Sequence, residues 1–384
     1  MKINYHKIFI ICPKIICLDK KANIYSINTY YIVSKPSILL TFDSMKYPNS
    51  GFFSFGKSLG DAILTQNKAR YKLYYYVHKR STYLFNRKVS LVYLSKLHKL
   101  FFPEPNRFEL IHFTDQYCRL KPQKVKGKKI LTIHDINPVH EQSKSPQKIE
   151  KHLKKLRGYI NACDKIVTIS HFVAKDILKY FPEAEGKVNV IYNGADQLQV
   201  VEGHMPKYQP KKAFLYTIGF VAPKKNFHVL PPLLVGNDYE LIIAGVETPY
   251  KSVIMAEAKK FGVADRVKIT GPISEEDKAW YYKNCEAFVF PSIAEGFGLP
   301  IIEAMHFGKP VFLSTHTSLP EIGGDAAFYF DSFEPEAMQS AFVKGMETFK
   351  TNNMQQKVIA HAMQFDWQET ARQYLKLYDE CLGL

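Results

Sequence analysis

Several things are scarce in this sequence. Its 384 residues include two tryptophans and six cysteines. Cys12, Cys17, Cys118, Cys163, Cys285 and Cys381 form no CxxC pair and no Cys/His cluster with zinc spacing. Neither a disulfide framework nor a zinc site is therefore expected, and the thiols read as reduced and mostly buried. Long apolar runs are missing too. The stretch Ile8 to Leu18 is broken by Pro13 and Lys14, well short of the ~20 residues a bilayer-spanning helix needs. No small-residue cleavage site comes after it, so it does not read as a signal peptide. There is no low-complexity tract and no short repeat. A hydrophobic content of 46% excludes a disordered chain, and the length suits two domains at roughly 100–200 residues each.

Positive charge is plentiful, and it is unevenly placed. The net charge is +16. Residues 1–200 hold 34 Lys and Arg against 14 Asp and Glu, or +20; residues 201–384 hold 18 against 22, or −4. A basic half suits a nucleic acid, an anionic membrane surface or merely a solvated face. The basic, tyrosine-rich stretch Arg70–Arg87 suits either kind of surface. No recognisable nucleic-acid module accompanies it, so no nucleic-acid partner is expected.

Residues 1–36 differ in character from the rest of the chain and read as an extension that is not native. Ser37–Phe42 then reads as a buried first strand. Strands and helices alternate from there. Leu110–Phe113, Lys129–Ile133, Lys165–Ile169 and Lys187–Ile191 read as strands, Pro146–Ala162 and His171–Tyr180 as helices. That alternation predicts βαβ units and a parallel sheet over residues 37–196. Residues 197–212, polar and carrying Pro206 and Pro210, read as a linker. A second series occupies residues 213–365, with strands at Ala213–Gly219, Tyr239–Gly245, Val267–Gly271, Ala287–Pro291, Pro310–Ser314 and Ala327–Asp331. The charge changes sign at the same boundary.

The most informative segment runs from Pro291 to Met305. A strand ends, a Gly-rich loop Gly296-Phe297-Gly298-Leu299 comes next, and Pro300 suits a first helical turn. A loop at a strand's carboxyl end and a helix's N-terminus is where open α/β sheets bind ligands. Its free N–H groups and the helix dipole attract phosphate. Glu295 and Glu303 flank that site. Carboxylates beside a diphosphate would repel it, so each is better read as accepting hydrogen bonds from hydroxyls, one on a sugar and one on a ribose.

The string Glu295-Gly-Phe-Gly-Leu-Pro-x-x-Glu303-Ala resembles the glutamate-x7-glutamate motif of the family 4 retaining glycosyltransferases (glycosyl transferases group 1), and the likeness extends over residues 37–384. Gly219 to Asn226 is similar to the family's phosphate loop, with Lys224 and Lys225 as its charges and Phe220 where an arginine is common. Thr132 to Pro138 resembles the H-D-x-x-P element of a mannosyltransferase-like subgroup, which implies that His134 touches the donor sugar. Gly51 matches one glycine of the family's first loop; Phe53 stands where a second small residue is usual. Phe365–Thr370 resembles the last segment, whose helix over 366–384 crosses back to the first domain.

This resemblance implies an α/β fold of the GT-B kind, two Rossmann-like domains with parallel sheets facing across a cleft. It implies a cytoplasmic, metal-independent, retaining transferase, working in part at the inner membrane face. The donor is a nucleotide-diphospho-sugar, with GDP-mannose favoured; the acceptor is a glycan or lipid-diphosphate. No cofactor and no metal are expected, and no Asp-x-Asp triad stands out. His134, Glu295 and Lys225 are the catalytic candidates. Gly51, Lys224, Lys225, Glu295, Gly296, Phe297, Gly298, Leu299 and Glu303 are the donor-binding ones. Asp135, Ser170, Asn193 and Gly219 are expected behind them in support, with Ser318–Glu321 and Gly323–Asp325. The same residues leave open another sugar-nucleotide enzyme of this fold, epimerase-like, or a transferase-like scaffold without activity.

Overall fold

The computed structural model describes residues 35–48, 50–85, 89–141 and 145–384. The extension expected over residues 1–36 lies outside these apart from its last two residues. Cys12, Cys17, Asn49 and the Asn86–Arg87 end of the basic stretch also lie outside.

Short runs of large apolar residues form two parallel sheets. The first contains β1 (Ser37–Phe42), β2 (Lys72–Val77), β3 (Ser90–Tyr93), β4 (Leu110–Phe113), β5 (Lys128–Ile133), β6 (Lys165–Thr168) and β7 (Val188–Val190), in the order β3-β2-β1-β4-β5-β6-β7. The second contains β8 (Phe214–Ile218), β9 (Glu240–Ala244), β10 (Val267–Gly271), β11 (Ala287–Phe290), β12 (Val311–Ser314) and β13 (Phe328–Phe330), in the order β10-β9-β8-β11-β12-β13. Ile38, Leu39 and Leu40 are all fully buried, because helices cover both faces of a parallel sheet and leave no solvated side. The strand order reverses between β1 and β4, and again between β8 and β11. Crevices open at the carboxyl ends of strands at such switch points.

The described helices are α1 (Gly51–Asn67), α2 (Pro146–Ala162), α3 (His171–Tyr180), α4 (Lys251–Lys260), α5 (Glu275–Asn284), α6 (Leu299–His306), α7 (Leu319–Gly323), α8 (Pro335–Thr351), α9 (Gln355–Ala362) and α10 (Trp367–Leu382). None is long and apolar enough to cross a membrane. Residues 197–212 form neither helix nor strand.

The last helix belongs to the first domain's core. Trp367, Ala371, Tyr374 and Tyr378 pack with Ile38, Leu40, Tyr75 and Val167. Gly194 meets Trp367 backbone to backbone; a Cβ there would sit 2.2 Å from the Trp367 nitrogen. His112 joins the two across the core, Nδ1 to the Tyr378 hydroxyl at 2.6 Å and Nε2 to Thr132 Oγ1 at 2.9 Å. Burial pushes its pKa down to about 3, so this link is made by a neutral ring.

One surface expectation is overturned. Lys72–Val77 is an inner strand, and Tyr74, Tyr75 and Tyr76 are buried. The Tyr75 hydroxyl donates to the Gly60 carbonyl at 2.7 Å. A tyrosine run can be core when each hydroxyl finds a partner, and the flanking lysine and arginine disguised it.

Candidate active site

A cleft of about 500 Å³ lies between the carboxyl edges of the two sheets. Its two walls differ in chemistry.

The first domain contributes an aromatic wall. Ser50 caps α1 by accepting from the Phe53 N–H at 3.3 Å, which fixes the turn that presents Gly51, Phe52 and Phe55 to the cleft. Gly51 has open space where a Cβ would stand. Phe53 is partly buried against the core and does not line the cleft, so the wall is built by Phe52 and by Phe55, which is itself buried in the core. Both meet the His134 ring edge-on, at 5.0 and 4.4 Å between centroids. His134 comes directly after β5 and is itself largely buried. Its Nε2 lies 2.9 Å from the Thr114 carbonyl. A carbonyl only accepts, so Nε2 carries the proton, and burial holds the ring below its ordinary pKa. The neutral ring then leaves Nδ1 as an acceptor. Behind it, Gln116 accepts from the His134 N–H and donates to the Asp135 carbonyl. Burial raises Asp43, Asp115 (to about 6) and Asp135. Asp43 adds to the shift of Asp115 by its charge.

The second domain contributes a charged wall. Lys225 Nζ lies 2.5 Å from Glu295 Oε1, which also accepts from Ser292 Oγ at 2.5 Å. The loops carrying them are tied together, since the Lys224 carbonyl accepts from the Ile293 N–H at 2.9 Å. Lys224 reaches across to Glu141 of the first domain at 3.6 Å. Deeper in, Glu303 is held by Lys278 Nζ and the Tyr282 hydroxyl, each at 2.9 Å. Burial pushes the Glu303 carboxyl up, and the Lys278 ammonium pulls part of that shift back. Gly298 starts α6 with φ +119°, a conformation a side chain resists. A Cβ there would also meet Ile301 at 2.7 Å.

The walls are joined through the Gly-rich loop. A Cβ on Gly296 would stand 1.8 Å from the His134 carbonyl oxygen, so only glycine fits between the domains there. Ser170 Oγ donates to the Gly296 carbonyl at 2.8 Å while accepting from the Val173 N–H. Glu321 from α7 caps α3 across the interface, accepting from the N–H groups of His171 and Phe172 at 2.7 and 2.8 Å.

The structure brings His134, Gly51, Lys224, Lys225, Glu295 to Leu299 and Glu303 to one cleft. Asp135, Asn193 and Gly219, expected behind the surface, line it directly. Ser170 stays fully buried behind it. Among the described residues, Asn193 Oδ1 is buried without a hydrogen-bond partner. Sequence reasoning missed Lys278, Phe52, Phe55 and Glu141. Lys278 sits in a helix rich in Glu, Asp and Lys, where one more lysine carries no signal. Among the described residues no group of three or more His, Cys, Asp and Glu is placed to hold a metal ion.

Comparison with known proteins gives this cleft its context. The family model described as glycosyl transferases group 1 matches residues 205–364. The model described as glycosyltransferase family 4 matches residues 62–197. The chain is 26% identical over 267 residues to the O-antigen chain mannosyltransferase B of Escherichia coli, covering 65% of this chain and 69% of that protein. It is 28% identical over 219 residues to the O-antigen chain mannosyltransferase RfbU of Salmonella typhimurium, covering 56% and 60%. Against the serotype-specific mannosyltransferase WbdA of Escherichia coli it is 27% identical over 271 residues and spans a third of that longer protein, 33%. Among solved structures, sucrose-phosphate synthase of Thermosynechococcus elongatus superposes with a TM-score of 0.72 at 18% identity, covering 91% of this chain and 99% of that one. Anabaena HepE in complex with UDP and glucose superposes with a TM-score of 0.68 at 18% identity, covering 90% and 100%. The fold is the GT-B arrangement of two Rossmann-like domains. With one family model on each side of the cleft, the chain belongs to the family 4 glycosyltransferases, the glycosyl transferases group 1.

Proposed function

We propose that this glycosyltransferase of surface-polysaccharide synthesis moves mannose from GDP-mannose to a glycan or lipid-diphosphate acceptor, with retention at the anomeric carbon and without a divalent metal. The observation that carries the reading is the convergence of Lys224, Lys225, the Gly296–Leu299 loop and the start of α6 on one wall, opposite His134. The names of the O-antigen mannosyltransferases above support the sugar and the pathway.

The donor's diphosphate lies against the loop and the N-terminus of α6, whose free N–H groups suit an anion. Lys224 and Lys225 balance the charge that grows on the leaving diphosphate as the anomeric bond breaks. Glu295 spends one oxygen on Lys225 and Ser292, and its other oxygen accepts from a sugar hydroxyl. His134 Nδ1 accepts from another. Glu303, kept in place by Lys278 and Tyr282, accepts from a ribose hydroxyl. Phe52 and Phe55 close the opposite side and limit water at the reacting carbon. The acceptor enters from the positive first domain, at the cytoplasmic face of a membrane.

The test is thermal stability of the purified protein with GDP-, UDP-, ADP- and dTDP-sugars, with and without EDTA. Binding at 100 times Kd stabilises by about 2.7 kcal/mol, so the matching donor should raise Tm by several degrees and EDTA should not remove the shift. Absence of a shift with every donor, in a folded protein, would refute the site. The anomeric configuration of the product, read by NMR, tests retention.

A further inference from the structure

All strands of the first sheet run parallel, so every loop that leaves the carboxyl end of a strand lies on the edge where the cleft opens. Along that rim, the segment after β3 turns back over the sheet. His98 and Phe102 are buried against Tyr76, with a 3.0 Å bond from the Tyr76 hydroxyl to His98 Nδ1. That anchoring leaves Leu97, Leu100 and Phe101 pointing outward, 68%, 75% and 64% exposed. The loops after β1, β2 and β4 bring Lys46, Arg80 and Arg119 around His78. Burial first, and then the charges of these three, hold its imidazole below the ordinary value. Among the described residues, none of the three cations is in a salt bridge. Tyr117, two residues before Arg119, meets Phe52 of the cleft edge-on at 5.7 Å. Arg119 lies close enough to the buried Asp43 for its charge to act on that carboxyl, and the rim runs from an apolar tip, through cations that form no salt bridge among the described residues, to the cleft mouth.

We propose that this rim is a docking face for an anionic phospholipid bilayer. Leu97, Leu100 and Phe101 enter the interface, while Lys46, Arg80 and Arg119 meet headgroup phosphates. Protruding apolar side chains beside such cations suit a surface that is apolar just beneath a layer of negative charge. The tyrosines of β2 have no part in this, being core. In the strand order β3 stands four strands from β5, which leads into His134. At about 4.8 Å per strand, docking sets the cleft ~20 Å from the tip, within reach of an acceptor anchored in the same leaflet. The proposal extends the transferase reading without depending on its donor, since donor binding uses none of these six residues.

Sedimentation of the full chain with vesicles tests it. The protein should pellet with phosphatidylcholine vesicles containing phosphatidylglycerol and remain in solution with phosphatidylcholine alone. The triple variant Lys46→Gln, Arg80→Gln, Arg119→Gln should lose about 100-fold in partitioning, at about fivefold per cation. The triple variant Leu97→Ser, Leu100→Ser, Phe101→Ser should lose at least about tenfold. Both should melt and bind nucleotide-sugar like the parent. A parent chain that ignores anionic vesicles, or triple variants that pellet as well as the parent, would overturn it. So would a concentration-dependent dimer abolished by the apolar variant, which would give the face to a second copy of the chain. Loss of donor binding in the parent would count against the transferase reading alone.

Discussion

The two halves of the chain and the two walls of the cleft have opposite electrostatics. Residues 1–200 carry a formal +20, yet their wall is Phe52, Phe55 and a neutral His134, with Asp115 and Asp135 pushed toward their neutral forms by burial. Residues 201–384 carry −4, yet their wall holds Lys224, Lys225 and Lys278 with Glu295 and Glu303. Net charge therefore describes the outside of each domain and not its working surface. The reason is the cost of burial. A charge inside a cleft persists only where a partner is fixed beside it, as Glu295 is beside Lys225; an unpartnered group neutralises instead.

The largest effect should come from discharging the second wall. Lys225→Met should lower kcat/KM by about 1000-fold, since the leaving diphosphate loses a fixed counter-charge. Lys225→Arg keeps the partner of Glu295 and should keep the melting temperature, which separates charge from folding. Unchanged kcat/KM in the Met variant would remove the wall's chemical role. Next comes the seam between the walls. A methyl on Gly296 would meet the His134 carbonyl at 1.8 Å. Gly296→Ala should therefore push the walls apart, with about 100-fold lower turnover for a displacement near 1 Å and a loss of about 1–3 kcal/mol in stability. Parent-like activity and melting would mean that the domains do not meet this closely in solution.

Glu303→Ala should lose most activity, more than about tenfold, while still folding, about 1–3 kcal/mol less stable because the buried Tyr282 hydroxyl loses its acceptor. Lys278 keeps Glu275 as a partner at 3.0 Å, so no buried charge is stranded. Turnover equal to the parent's would eliminate Glu303 from the donor site. The smallest effect concerns stability alone and tests the neutral wall. Asp115 is raised from 3.8 to about 6, by burial first and then by the charge of Asp43. Its contribution is thus fully present below about pH 4 and lost as pH rises through about 6. Above that, its forced ionisation costs about 3 kcal/mol. Asp115→Asn still accepts from the Tyr117 N–H and stays neutral. It should melt with the parent below about pH 4, increasingly above it as pH rises from about 4 to about 6, and by a constant margin beyond that. A difference in Tm that does not vary with pH would show that Asp115 is charged in the fold throughout.

Local sequence determined a good deal here. Ser37–Phe42 and Leu110–Phe113 are strands because short, mostly apolar runs of that length suit a sheet covered on both faces, whereas the edge strand Val267–Gly271 alternates and leaves Lys268 exposed. The donor loop was legible because Gly296, Gly298 and Pro300 each mark a backbone requirement, and such marks survive in one dimension. Where side chains turn was not legible. Nothing in the run Gly51-Phe-Phe-Ser-Phe55 says that Phe52 and Phe55 line the cleft, Phe55 from within the core, while Phe53 only packs against the core, because the helical phase is set by Ser50 and by packing on α10. Nothing in Lys72-Leu-Tyr-Tyr-Tyr-Val77 says that the tyrosines are interior; partners such as the Gly60 carbonyl come from elsewhere in the chain. The pairing of Lys278 with Glu303, the seat of Gly296 against His134 and the exposure of Leu97, Leu100 and Phe101 were likewise decided only by the tertiary structure. Each depends on which distant group arrives at a few ångströms, and so on whether a charge is paired, neutralised or left facing water.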